Sequence, residues 1–274
     1  MHDRTHYWHA AFEPGISCLH AAFTRQEFAP HSHDAIVVAA TVSGHSFYTS
    51  RGRSSEATSS TLLVFNPAEP HAGHMRGSGY WEYRAFYLTQ PALQRLLPTI
   101  GLTRVPGFVH NEIAHRDLIQ AFIAAHRECE AGDPAAARER LIDACGRLFA
   151  HGRDAADATT GACADRTAVD RALATIAERF NDRLTVDALA AAAGVSPFHL
   201  IRQFNRHTGM TPHAHIVRAR MHDAIRRLRR GAALSDAAVQ AGFYDQSGFT
   251  HHFRRAYGIT PGQYVKAHAA SRRA

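Results

Sequence analysis

Lysine is almost missing from this 274-residue sequence: Lys266 stands alone among 31 basic side chains, and arginine supplies the rest. Arginine usage of that kind also follows from GC-rich coding, so by itself it establishes nothing about phosphate binding. Cysteine is scarce as well. Cys18, Cys129, Cys145 and Cys163 form no C-x-x-C pair, which argues against a disulfide framework and a self-contained zinc module and leaves reduced structural thiols as the reading. No stretch approaches the roughly 18 apolar residues that a membrane span needs. The opening MHDRTHYWHA lacks the charged-then-apolar pattern of a secretory leader. The expectation is a cytoplasmic protein with no membrane partner.

What is present is ordinary in amount and uneven in placement. Hydrophobic residues make up 45% and charged residues 20% of the chain, as in a soluble globular protein of one large or two ordinary domains. The net charge of +7 divides sharply. Residues 1–165 carry 14 basic and 17 acidic side chains, a net of −3, whereas residues 166–274 carry 17 and 7, a net of +10. Only the second part is suited to a polyanion.

Between residues 28 and 88 the pattern is that of short strands. Ile36 to Val42 is apolar and β-branched, the stretch from His45 to Ser50 alternates, Ser50-Arg51-Gly52-Arg53 reads as a tight turn, and Thr61 to Asn66 is closed by Pro67. Tyr80 to Leu88 is a further aromatic-rich strand. Strands at this spacing predict a β-barrel or sandwich, whose interior can hold a small molecule. The period then becomes helical: Leu118, Ile119, Phe122 and Ile123 form one stripe, and after Gly132-Asp133-Pro134 a second runs through Leu141, Ile142, Cys145, Leu148 and Phe149. This hairpin either covers the barrel or forms a dimer interface, and the two roles are compatible. Residues 153–165 read as a linker, separating residues 1–152 from residues 166–274.

Beyond it the chain repeats itself. GVSPFHLIRQFNRHTGMTP at 194–212 is echoed about 49 residues later by GFYDQSGFTHHFRRAYGITP at 242–261, with Leu200, Phe204, Arg206, Gly209 and Thr211-Pro212 answered by Phe249, Phe253, Arg255, Gly258 and Thr260-Pro261. Each copy has the grammar of a helix-turn-helix. Gly194 permits a left-handed turn, Ser196 offers an N-cap, Pro197 suits the first helical position, and Gly209 ends the helix. Asp245 is the corresponding cap for Gln246 to Tyr257, closed by Gly258. Leu200 with Phe204, and Phe249 with Phe253, put the core on one stripe and leave a polar, basic face outward, where a major groove would be read. His213 to Arg230 predicts one connecting helix that fixes the two units; Arg226, Arg227, Arg229 and Arg230 near its end either contact phosphate or complement the helix dipole in solvent.

The run GF-x-x-Q-S-x-F-x-x-x-F-R-R-x-Y-G-x-T-P-x-x-Y from Gly242 to Tyr264 resembles the signature of the AraC/XylS family of bacterial transcription regulators. The resemblance extends over residues 166–268. HSHDAIVVAATVSG at 31–44, RGR at 51–53 and LLVFNPAEPHAGH at 62–74 are similar to the cupin-like effector-binding domain of the same family. Together they imply a two-domain α+β protein: an N-terminal cupin-like β-barrel with a helical hairpin, and a C-terminal all-α double helix-turn-helix. They imply double-stranded promoter or operator DNA and a small-molecule effector as partners, a homodimer, RNA polymerase as a contact if the protein activates, and neither an enzyme activity nor a cofactor.

The resemblance and the outward faces name the residues at the DNA. Phe198, Ile201, Arg202 and Asn205 are the base-edge set of the first unit, and Gln246, Ser247, Thr250, His251 and Arg254 that of the second. Arg206, Arg255 and Lys266 are cast as phosphate contacts or solvated charges. His251 and Gly248 depart from the family pattern, which would weaken reading by the second unit; a glycine inside a helix costs about 1 kcal/mol relative to alanine. In the barrel, His31, His33, Ser43, Tyr48, His71, Tyr83 and Arg84 are the effector-pocket candidates, Arg84 favouring an anionic ligand if it points inward. His31-x-His33 with His71 is also similar to the ligand spacing of metal-binding cupins. The acidic residue usual a few positions further on is not there, since Asp34 follows His33 directly, so the expectation is sensing without metal. A cupin-type metal-dependent enzyme fused to a DNA-binding module is the alternative. The dispersed cysteines argue against a DNA-repair alkyl acceptor.

Overall fold

The computed structural model describes residues 3–75, 77–131, 133–156 and 167–271. Two strands that the sequence pattern did not single out come first, β1 (Arg4–His9) and β2 (Ile16–Phe23). They are followed by β3 (Glu27–His31), β4 (Ala35–Gly44), β5 (Ser46–Ser50), β6 (Arg53–Ala57), β7 (Leu62–Phe65), β8 (His71–His74) and β9 (Trp81–Thr89). With β10 (Glu112–Ile113) they pair antiparallel in two sheets, ordered β1-β2-β9-β4-β7-β10 and β3-β8-β5-β6. The expected barrel is therefore built from two sheets. Ser50 faces Arg53 across the β5–β6 turn, where Arg51 and Gly52 have φ of 52° and 72°, the backbone that a two-residue hairpin demands.

The larger sheet is buried on both sides, which explains its nearly continuous apolar runs. Ile16, Cys18, Ile36, Val38, Leu62, Val64, Phe86 and Leu88 face one way, against a layer of helices. Leu19, Ala21, Phe23, Val37, Leu63, Phe65, Tyr83 and Ala85 face the other way, toward a second cluster. The helical layer comprises α1 (Gln90–Ile100), α2 (Arg116–Ala131) and α3 (Pro134–Ala156). The hairpin expected from the sequence is α2 with α3, and it covers the sheet through Leu118, Ile119, Phe122, Leu141, Leu148 and Phe149, all at most 2% exposed. α3 continues to Ala156, into the stretch read as a linker; the rest of that stretch, residues 157–165, lies outside the described residues.

The C-terminal part is helical: α4 (Thr167–Arg179), α5 (Val186–Ala193), α6 (Pro197–Thr208), α7 (Pro212–Arg229), α8 (Leu234–Gln240), α9 (Gln246–Tyr257) and α10 (Pro261–Ser271). α7 is the expected connector. Its arginines turn out to be largely structural. Arg226 and Arg227 both donate to the carboxylate of buried Asp223, and Arg229 Nε donates to the Tyr264 hydroxyl. The first unit closes its own core, with Leu189, Leu200, Phe204 and Ile216 beside Val169 and Ile176. The second shares its core with the sheets: Phe249 and Phe253 belong to the same cluster as Phe23, Phe65 and Tyr83. Among the described residues no helix is long and apolar enough to cross a membrane.

Candidate nucleic-acid interface and effector cavity

Both candidate reading helices, α6 and α9, are cut to length by their caps. Ser196 Oγ accepts from the His199 amide at 3.2 Å, Asp245 Oδ1 accepts from the Gly248 amide at 2.7 Å, and Gly209 and Gly258 end the helices at φ of 70° and 71°. Gly248 thus lies in the first turn, as the capped amide. The cost expected for a glycine in mid-helix is offset there by the cap, worth about 1 kcal/mol. Leu200, Phe204, Phe249 and Phe253 are at most 1% exposed. Arg202, Asn205 and Arg206 of α6 are exposed on the opposite side and Ile201 is half-buried; the side chain of Phe198 lies outside the described residues. On α9, Gln246, Ser247, His251, Arg254 and Arg255 are exposed and Thr250 is half-buried. These six line a shallow groove whose other wall is Gln26 and Glu27, at the start of β3. Lys266 on α10 is exposed.

Between the sheets lies a cavity partly open to solvent. His31, His33, Tyr48, His71 and Tyr83 line it, together with apolar side chains such as Val37, Leu63 and Phe65. Two of the expected residues are elsewhere. Ser43 is exposed near the end of β4, next to a register shift between Thr41 and Ser43. Arg84 has the opposite sense from Tyr83 and Ala85 on β9 and turns toward α2, donating to His126 Nδ1 at 2.9 Å and Glu130 Oε2 at 2.6 Å. Burial would raise the Glu130 carboxyl, but hydrogen bonds from Arg84 and His20 outweigh it and hold the group at about 2. Arg84 therefore binds the helical layer to the sheet and offers no charge to the cavity.

The sequence did not point to the cavity's remaining wall. Ala256 and Tyr257, the last residues of α9, complete it, with Tyr87 of β9 alongside. The Tyr257 ring centroid lies 5.0 Å from that of His33 and 5.8 Å from that of His31. A second cleft follows the same junction, lined among others by Tyr7, Asp34, His222, Arg229 and Tyr264. Across it His222 Nδ1 is 3.1 Å from Asp34 Oδ1, and Arg218 donates to the Ala68 carbonyl at 3.1 Å. The Asp245 cap, Gly258 and an amphipathic period marked α9 in the sequence, and such a period says which face is covered without saying by what.

The three histidines converge from two adjacent strands and the loop that follows β3. His31 faces His71 in the β3–β8 register, and one nitrogen from each of His31, His33 and His71 lies within 4.8 Å of the others. The backbone fixes two of the rings: His31 Nδ1–H donates to the Ala29 carbonyl at 2.8 Å, and His71 Nδ1–H donates to the Glu69 carbonyl at 3.0 Å. A carbonyl only accepts, so each Nδ1 carries the proton and each Nε2 keeps a lone pair. Burial pushes His71 down to about 4, and burial with a neighbouring histidine pushes His31 and His33 well below the ordinary value.

Comparison with known proteins agrees with this anatomy. Residues 13–144 match the AraC-like ligand binding domain, and residues 189–267 match a helix-turn-helix domain. The chain is 26% identical over 224 residues, 81% of either protein, to YbfI of Bacillus subtilis, described as an uncharacterized HTH-type transcriptional regulator. It is 34% identical over 90 residues to the transcriptional activator RhaS of Escherichia coli, a match covering 32% of each chain. Its fold is similar to that of ToxT from Vibrio cholerae. An apo variant superposes with a TM-score of 0.54 at 11% identity, covering 92% of this chain and 97% of that one, and a 1.65 Å structure gives 0.52 at 11%, covering 97% and 99%. With an AraC-like ligand binding domain built on two sheets and paired helix-turn-helix units behind it, the chain belongs to the AraC family of transcription regulators, DNA-binding proteins under the control of a small-molecule effector.

Proposed function

We propose that the cavity between the sheets is the effector site and that α6 and α9 read the operator. His31, His33, Tyr48, His71 and Tyr83 supply the polar groups of a mostly apolar pocket, so the effector is a small molecule with a large apolar surface and few polar atoms. Arg202 and Asn205 contact base edges from α6; Gln246, Ser247, Thr250, His251 and Arg254 do so from α9; Arg206 and Arg255 hold phosphates. The reading rests on one observation above all: Ala256 and Tyr257 form both the end of the second reading helix and a wall of the cavity. A ligand that touches them binds differently according to where α9 sits, and that difference in affinity is what control of DNA occupancy requires.

The functional unit in this proposal is a homodimer in the cytoplasm. It binds without turnover and, if it activates, contacts RNA polymerase from the DNA-bound state. The test is mapping of bound genomic DNA with and without candidate metabolites. The expected result is a defined motif whose occupancy shifts with one ligand class. Binding without sequence preference overturns the reading of α6 and α9, and turnover by the purified protein would favour the metal-dependent enzyme.

A further inference from the structure

The geometry points to a transition-metal site in the sensing domain, formed by His31, His33 and His71, for a divalent ion of the Zn²⁺ class. Among the described residues these three are the one group of three or more histidine, cysteine or acidic side chains brought close enough to share an ion. Three imidazoles suit zinc, copper, nickel or cobalt, and Zn–N bonds of about 2.0–2.1 Å in a tetrahedron place the nitrogens about 3.4 Å apart. The separations here, up to 4.8 Å, close to that value by ring movements of about an ångström. The outer contacts are those a metal-bound histidine makes. A backbone carbonyl takes the Nδ1 proton of His31 and of His71 at 2.8 and 3.0 Å, which fixes the tautomer and leaves Nε2 for the ion.

The strand register produces this set. β8 pairs with β3 on one side and β5 on the other, so His71 is carried across from His31. His33, two residues on, brings the third ring, at 4.9 Å from His31 and 5.2 Å from His71 between centroids. His71 also stacks on Phe65 at 4.1 Å and 12°, which holds the ring while leaving its edge free. Three protein ligands would leave a fourth position open, and all three histidines line the cavity together with Tyr257. Resting on the effector reading above, that position is where a donor atom of a cavity ligand would bind.

The test uses the full-length protein, stripped with a chelator and titrated with Co²⁺, whose visible absorption reports tetrahedral nitrogen coordination. The expected result is one Co²⁺ per chain, displaced by Zn²⁺, with Zn²⁺ raising the melting temperature. His71→Phe keeps the stack on Phe65 and removes a ligand, and His33→Gln removes another from outside the β3–β8 register. Each should weaken Co²⁺ by more than the roughly 10–100-fold that loss of an outer-shell partner costs. If one variant fails to fold, the other carries the comparison. Stripped wild-type protein with a native circular dichroism spectrum that takes up no Co²⁺ or Zn²⁺, or folded variants that bind as wild type does, would overturn the site. Gel shifts on the same preparations keep this outcome separate from the DNA-reading assignment, which stands or falls on sequence preference.

Discussion

Replacing Gly242 by alanine tests how the two helix-turn-helix units are joined, and Gly194 supplies the control. The two glycines occupy equivalent turns and both are left-handed, with φ of 90° and 73°. An alanine in that region costs about 1–2 kcal/mol for its Cβ, partly offset by about 0.4–1 kcal/mol from a less flexible unfolded chain. At Gly194 nothing lies within 4 Å of the added carbon, so Gly194→Ala should cost about 1 kcal/mol and no more. At Gly242 the carbon would sit 2.8 Å from Asn181 Cα, 2.9 Å from the Asn181 carbonyl oxygen and 3.0 Å from Arg220 Nε. Arg220 cannot simply swing away, because it donates to the carbonyls of Phe180 and Asp182, both at 2.7 Å. Relief therefore means moving backbone, at about 1–3 kcal/mol, or giving up a charged hydrogen bond, at about 1.5–3 kcal/mol. Gly242→Ala should accordingly be the more destabilising by about 2–3 kcal/mol. Urea titrations of both variants followed by circular dichroism at 222 nm measure the difference. Values within about 0.5 kcal/mol of one another would show that the contact with the α4–α5 turn carries no weight.

The remaining expectations concern three other sites. Arg202→Ala should lose about 1–3 kcal/mol at one operator position and relax base preference there, whereas loss of Arg206 should weaken all sequences alike and flatten the salt slope; unchanged base preference in a binding-site selection rejects the role of Arg202. His215 is 4% exposed, and burial followed by the nearby Arg218 charge pushes it from 6.5 to about 4. The unfolded chain then takes up the proton first, so stability is full above pH 6.5 and falls as pH drops toward 4. Wild type should lose about 2 kcal/mol more than His215→Gln between pH 7.5 and 5, and parallel stability profiles would contradict this. Arg84→Met should cost about 1.5–3 kcal/mol by removing the charged hydrogen bond to Glu130, which keeps His20, yet leave ligand affinity unchanged in calorimetry; lost affinity at full stability would place Arg84 at the cavity after all.

The helices of the C-terminal part were the most legible elements because their ends carry local chemistry. Ser196, Asp245, Gly209 and Gly258 mark caps that form within four residues, with no help from the rest of the chain. The β region was harder. Period-2 alternation named Tyr83 and Arg84 together and could not say which of them faces the cavity; pairing with β2 and β4 settles that. β1 and β2 passed unnoticed because nothing as distinctive as a cap or a repeat announces them, and α1, although Gly101 ends it at φ of 74°, has no side-chain N-cap and carries Pro98 inside it. The convergence of His71 on His31, suggested in the sequence only by likeness to the cupin ligand spacing, depends on β8 lying beside β3, a long-range pairing. Arg226 and Arg227 stood out in the sequence as a surface charge pair, whereas a single buried carboxylate, Asp223, engages them both.

The shared core of the second helix-turn-helix unit bears on how such regulators are recombined. Phe249 and Phe253 pack in one cluster with Phe23, Phe65 and Tyr83, and an added Cβ at Gly258 would come within 3.0 Å of the Phe28 ring. A hybrid made by joining this sensor to a relative's DNA reader at residues 153–165 would separate side chains that fit one another, although the cut falls between the two matched domains. The graft should regain its response once the facing positions, Phe23 and Phe28 with Gly258, are exchanged as a set. The unit that inherits specificity is thus drawn by packing, across the boundary that the chain order suggests.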